Sequence, residues 1–260
     1  MRIYFDVETI PSQTPGAREA AKVGIKPPAN YKKEETIAAW WAEQGEQAAL
    51  DAYLRQALDG ADGELCAASW AIDDGTVFSM VRPHDEDEAA FLRQLVDALS
   101  LHVDRVENAD YSPKFPEPVY LIGHNTMFDV GFMRRRAWVH GIKPPSWFPT
   151  LQARDGRDYG DTMTMWAGYR ERISLDRLCK ALGVPSPKVD GMHGGAVFEM
   201  WQAGEFDKIA TYNAADVMAT RQCWQRLNFE EVTPSAAPVQ GDEAAQNANQ
   251  LQDMQGDESA

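Results

Sequence analysis

Arg2-Ile3-Tyr4-Phe5-Asp6-Val7-Glu8-Thr9 is the stretch on which the reading of this 260-residue chain turns. Its apolar, β-branched and aromatic residues predict a buried central strand, closed by Thr9-Ile10-Pro11. Asp6 and Glu8 are two apart, so on a strand they point to the same side. Two carboxylates side by side at the end of a core strand repel each other and resist desolvation unless a cation lies between them. The same Asp-x-Glu also occurs at strand ends where both acids face water, so acids elsewhere in the chain must decide.

Working outward, residues 11 to 63 read as an insertion, punctuated by Pro11, Pro15, Gly16, Pro27 and Pro28. A short helix is expected at 16 to 23 and a longer one from Glu34 to Leu58, whose Ile37, Trp40, Trp41, Leu50, Tyr53 and Leu54 recur at helical spacing and read as a packing stripe. Glu64 to Ile72 predicts a strand, and Asp73-Asp74-Gly75 a hairpin turn into Thr76 to Val81. A helix is expected from Asp85 to Leu101, with acids in its first turn and Ala89, Leu92, Leu95, Val96 and Leu99 on its buried face. A loop with Pro113, Pro116 and Pro118 leads to Val119-Tyr120-Leu121-Ile122, short and continuously apolar like a buried parallel strand.

Gly123-His124-Asn125-Thr126 then opens a helix near Met127, with Asp129 in its first turn and Phe132, Met133 and Trp138 expected to face the core. Asp158 to Met163 predicts the last strand, and Ser174 caps a helix over Leu175 to Leu182 that Gly183 stops. The last helix is expected from Glu205 to about Phe229, where Tyr212 and Asp216, four apart, lie on one face. Residues 233 to 260 lack a core-forming run and read as a disordered acidic tail.

Composition bounds the function classes. The hydrophobic share of 44% supports a sizeable core. No run long enough to span a membrane and no export signal are expected, and Cys66, Cys179 and Cys223 form neither a disulfide framework nor a zinc pattern, which fits a reducing cytoplasm. The net charge of −15 opposes nucleic-acid binding, but residues 230 to 260 carry −7 of it without one Lys or Arg. Bound cations would neutralise part of the remainder.

Three segments in order, Asp6-Val7-Glu8, Asn125-Thr126-Met127-Phe128-Asp129 and Tyr212-Asn213-Ala214-Ala215-Asp216, resemble the three motifs of the DEDD (DnaQ-like) 3′-5′ exonuclease superfamily. Tyr four residues before the last Asp resembles the DEDDy branch, which includes the proofreading domains of family B DNA polymerases. The other branch has His five residues before that Asp, where this chain has Thr211. Asn-x-x-Phe-Asp resembles the second motif of the polymerase-B-type exonucleases, and the long proline-rich insertion and helix before Leu58-Asp59-Gly60 resemble a group of stand-alone, phage-type relatives of that domain. The resemblance runs from residue 1 to about 229.

It implies an α/β ribonuclease-H-like fold: a mixed sheet with an antiparallel meander and parallel strands, flanked by helices, with a helical insertion after the first strand. The domain is expected over residues 1–232, with the insertion at 11–63 and the tail at 233–260. It also implies a metal-dependent 3′-5′ exonuclease acting on single-stranded DNA or frayed 3′ ends and releasing nucleoside 5′-monophosphates. Asp6, Glu8, Asp129 and Asp216 would hold two divalent cations, Mg²⁺ or Mn²⁺, and Tyr212 would orient the attacking water.

The chemistry agrees. Phosphodiester hydrolysis needs an activated water and a neutralised leaving oxygen, which two cations about 4 Å apart supply, and all-oxygen ligands suit hard cations. Asn125 reads either as a helix cap or as a substrate contact, beside Phe128. Arg134-Arg135-Arg136 reads either as a solvated face or, at Arg134, as a phosphate contact. His124 and His193 read as structural. The rivals are an exoribonuclease of the same superfamily and a catalytically inactive domain of this fold that binds nucleic acid or protein. A clustered set of four acids argues against the inactive reading. The expected partners are a DNA 3′ end, or RNA, and a replication or recombination protein, with no membrane, in the cytoplasm or, for a phage protein, the host cytoplasm.

Overall fold

The computed structural model describes residues 1–108, 119–168, 170–187 and 194–234. The proline loop before residue 119, His193 and the tail from residue 235 on lie outside the described residues. The chain divides into two compact units, Met1–Glu8 with Leu65–Ala260, and Thr9–Glu64.

The larger unit is built on a mixed five-stranded sheet of order β3-β2-β1-β4-β5. Its strands are β1 (Arg2–Ile10), β2 (Glu64–Ile72), β3 (Val77–Val81), β4 (Tyr120–Gly123) and β5 (Tyr159–Asp161). The meander is on one side of β1, with β2 and β3 antiparallel, and β4 and β5 run parallel on the other. This is the ribonuclease-H-like arrangement expected from the sequence.

Alternation along β1 decides which helix covers which face. Ile3, Phe5 and Val7 enter one core with Leu92, Leu95 and Leu99 of α3 (Glu88–Asn108) and Val130, Phe132, Met133 and Ala137 of α4 (Thr126–His140). Tyr4 faces the opposite core, with Ile122 of β4 and Ala214, Val217, Met218 and Trp224 of the long helix Phe206–Leu227. Asp6 and Glu8 share Tyr4's parity and so lie on the side of that long helix.

Three features hold the long helix down. Ser79 Oγ donates to the Ala210 carbonyl at 3.2 Å. Arg221, fully buried, donates to the Gly75 carbonyl at 2.7 Å in the β2–β3 turn. Gly160 of β5 lets the Trp224 ring come close, since a Cβ there would sit 2.5 Å from it.

The structure departs from the sequence reading at several side chains. The acids of Asp85-Glu86-Asp87 precede α3, which begins at Glu88. Glu88 is buried. Its carboxylate takes Arg136 Nη2 at 2.6 Å and the Leu65 N–H at 2.7 Å, so it locks α3 to α4 and to β2. Arg136 is therefore an interior ion-pair partner and not a phosphate contact. Trp138 is 62% exposed, not core, because α4 turns it away from the sheet.

In the larger unit the chain continues through α5 (Thr162–Ala167), α6 (Leu175–Leu182), α7 (Val197–Gln202) and α8, the long helix just described. Cys179 of α6 and Cys223 of α8 are free, with their sulfurs 3.6 Å apart. The smaller unit holds α1 (Ala17–Val23), α2 (Glu34–Arg55) and a 3₁₀ turn at Gln56–Leu58. Within it Tyr53 Oη donates to the Ser12 carbonyl at 3.0 Å and Thr9 Oγ1 to the Ala57 carbonyl at 2.5 Å. The α2 stripe is buried only in part: Trp40 and Ala49 are covered, whereas Trp41 and Leu54 are exposed. Among the described residues no helix is long and apolar enough to cross a membrane.

Candidate active site

The site follows from where β4 stops. β4 pairs with β1 at Arg2, Ile3 and Tyr4 and ends at Gly123, so beyond Tyr4 that edge of β1 runs on almost without a strand partner. The Val7 N–H, in this stretch, is hydrogen-bonded to the Asp129 carboxylate. Crevices beyond the carboxyl ends of parallel strands are where ligands bind in open α/β sheets.

From the other face α8 brings Asp216. Carboxylate oxygens of Asp6, Glu8 and Asp216 all lie within 4.8 Å of one another. Asp129, in the first turn of α4 and buried, stands outside that trio but beside it. Burial is the main cause that lifts the Asp6, Glu8 and Asp129 carboxyls well above their ordinary range. Mutual repulsion adds to it: Asp129 and Asp216 raise both Asp6 and Glu8. Such a group can reach neutrality by protonation or by taking up cations.

Tyr212 lies one turn before Asp216, buried, with its hydroxyl hydrogen-bonded to the Asp216 carboxylate. Burial, and then the charges of Asp216, Glu8 and Asp6, push its phenol far above the usual value. Its hydroxyl is therefore a neutral donor and acceptor throughout the working pH range. At the position where the other branch has His, Thr211 Oγ1 donates to the Asp207 carbonyl at 2.8 Å on its own helix.

The loop that delivers Asp129 is organised by a residue the sequence reading missed. Asp161, buried at the end of β5, accepts from Asn125 N and Thr126 N at 3.0 Å and from Met163 N at 2.9 Å. It ties the start of α4 to the start of α5. Asn125 occupies the N-cap position of α4 with φ of 66° and makes no side-chain cap bond, so the cap reading fails for its side chain. The signal for Asp161 was an Asp directly before Thr-Met-Thr at a strand end. Its two bonds to α4 cross 35 and 36 residues of sequence and left no local trace.

His124 is structural. Its Nε2 donates to the Ile173 carbonyl and its Nδ1 meets Thr162 Oγ1, both at 2.9 Å. Burial lowers its pKa. Phe128 is half-buried, its ring 5.9 Å from that of Phe132. Arg134 donates to the Pro149 and Phe148 carbonyls and lies over the Phe148 ring, with 5.8 Å to the centroid. Arg135 is exposed. The second missed residue is Asn213, fully buried, whose Nδ2 donates to Asp6 Oδ2 at 2.5 Å. Its signal was its place three before Asp216, on the same helical face.

Residues 114–258 match the model of a family described as predicted 3′-5′ exonucleases related to the exonuclease domain of PolB. No curated protein matches the chain. The match contains Asp129, Tyr212 and Asp216, and the fold places Asp6 and Glu8, which precede it, against them. Covering more than half of the 260 residues, it shows that the chain belongs to this family of predicted 3′-5′ exonucleases, hydrolases of nucleic-acid phosphodiester bonds.

Proposed function

We propose that the protein is a DEDDy exonuclease that removes nucleoside 5′-monophosphates from the 3′ end of single-stranded DNA or of a frayed duplex. The observation that carries this reading is the convergence of the Asp6, Glu8 and Asp216 carboxylates within 4.8 Å. In this reading Asp129 completes the set, and the four acids hold two divalent cations, Mg²⁺ or Mn²⁺. The donors fit that assignment, because they are all hard oxygens and their buried mutual repulsion is relieved by positive charge. Bound there, the cations supply an activated water and neutralise the leaving oxygen.

The remaining roles fall to the chain itself. Tyr212 keeps its proton and orients the attacking water through its hydroxyl, acting as a positioning group and not as a general base. Asn125 and Phe128, at the start of α4, take the terminal nucleotide. Arg134 has guanidinium donors beyond those given to the two carbonyls, and they serve a substrate phosphate. The exonuclease domain spans residues 1–232, and the segment beyond it takes no part in the chemistry.

Matched DNA and RNA strands labelled at the 3′ or the 5′ end, with Mg²⁺, Mn²⁺ or EDTA, test the reading. The 3′ label should leave at once as a mononucleotide and the 5′-labelled DNA should shorten stepwise, with no reaction in EDTA. Hydrolysis of RNA alone, internal cuts, or undiminished activity in EDTA would overturn it.

A further inference from the structure

Asn213 is fully buried on α8, and the two ends of its amide are treated unequally. Nδ2 donates to Asp6 Oδ2 at 2.5 Å, while Oδ1 has no hydrogen-bond partner among the described residues. A buried amide oxygen without a donor costs stability, so an apolar side chain of similar size would serve packing better here. What the amide does accomplish is a single bond to one carboxylate of the acidic cluster.

The type of donor is informative. A Lys or Arg in this place would bring its own positive charge and compete with a cation for Asp6. A neutral amide fixes the carboxylate while leaving the negative charge of the cluster intact. Groups that orient a metal ligand from behind in this way typically contribute about 10–100-fold to metal affinity or activity.

Resting on the reading of the acidic cluster as a cation site, we propose that Asn213 is a positioning residue that orders the Asp6 carboxylate as a cation ligand. It touches neither substrate nor reacting atoms.

The test is Mn²⁺ affinity of the full chain without nucleic acid, followed by electron paramagnetic resonance for wild type, Asn213→Ala, Asp6→Ala and the double variant. Asn213→Ala should bind Mn²⁺ about tenfold more weakly, and should add no loss in the Asp6→Ala background, because both changes act on one ligand. Its kcat on a DNA single strand should fall by about the same factor while KM stays within about twofold. Asn213→Ser gives the same comparison if the Ala variant does not fold. Unchanged Mn²⁺ affinity in a folded variant overturns the proposal, as does an equal loss with Asp6 absent. Failure of both variants to fold also overturns it, since the residue is then structural. A wild type that binds no Mn²⁺ removes the cation-site reading and this proposal together, whereas normal wild-type binding with an unaffected Asn213→Ala removes this proposal alone.

Discussion

On the proposed reading, Tyr212 separates the positioning chemistry from the cation site. Its hydroxyl is held by Asp216, and burial keeps it protonated. Tyr212→Phe should thus lose water orientation while leaving cation affinity nearly intact. One oriented hydrogen bond is worth on the order of 2–4 kcal/mol in the transition state, about thirtyfold to a thousandfold in kcat. Steady-state kinetics with a parallel Mn²⁺ titration should show the fall in kcat with little change in KM or in metal affinity. A Phe variant as fast as wild type would reduce Tyr212 to packing. The four acids and Tyr212 were readable as candidates because each is a carboxylate or phenol on a predictable element, and the structure brings the Asp6, Glu8 and Asp216 carboxylates together. Asn213 was not, because an amide beside Tyr212 gains meaning only when α8 is laid against β1.

At the scale of elements, the junctions carry the site and the interiors carry the fold. β1, β2, α6 and α8 were readable from alternation, periodicity and caps, since their local preferences agree with their environment. Errors came where tertiary pairing overrode a local signal: the acids before α3 resemble a helix start, yet Glu88 turns inward to Arg136. Asp161 is the junction whose long-range bonds to Asn125 and Thr126 the sequence could not reveal. Asp161→Ala would leave the N–H groups of Asn125, Thr126 and Met163 without their acceptor. Each backbone group left unpaired costs about 1–3 kcal/mol, so denaturant unfolding should show a loss of at least about 2 kcal/mol. Activity should fall as well, because the start of α4 that carries Asp129 loosens. A change below about 0.5 kcal/mol would show that water replaces the carboxylate at no cost.

For the whole molecule, on the proposed reading the acidic cluster makes stability depend on pH and on cations together. Asp6, Glu8 and Asp129 have folded-state pKa values raised above the unfolded ones, so the native state binds more protons between the two. That contribution is full below the ordinary carboxylate value, about pH 4, and is lost as pH rises through the raised values. In chelator, melting temperature should therefore fall as pH rises above the ordinary carboxylate value, and fall less in Asp6→Asn. Mn²⁺ should restore more stability at the upper end, where it displaces fewer protons. A wild-type curve that rises more steeply than the variant's over this range would contradict the raised values.

The domain boundary can also be tested. Thr233 Oγ1 donates to Asp74 at 2.7 Å and its N–H to buried Gln225 at 2.9 Å. A chain ending at Pro234 should keep stability and specific activity, whereas one ending at Val232 should lose about 1–3 kcal/mol by leaving the buried Gln225 amide oxygen without its donor, although Gln225 Nε2 keeps Asp74. Equal melting curves for the two truncations would show that these bonds contribute nothing.

The central claim is that four acids from β1, α4 and α8 act as one cation site for hydrolysis at a 3′ end. It is tested most directly by the single-turnover rate of 3′-nucleotide release from 5′-labelled DNA at saturating Mn²⁺, for Asp6→Asn, Glu8→Gln, Asp129→Asn and Asp216→Asn beside the wild type. The account predicts that each variant stays folded and is slower by at least about a thousandfold, Asp129→Asn included although it lies outside the tight trio. Two folded variants that keep near-normal rates would contradict it.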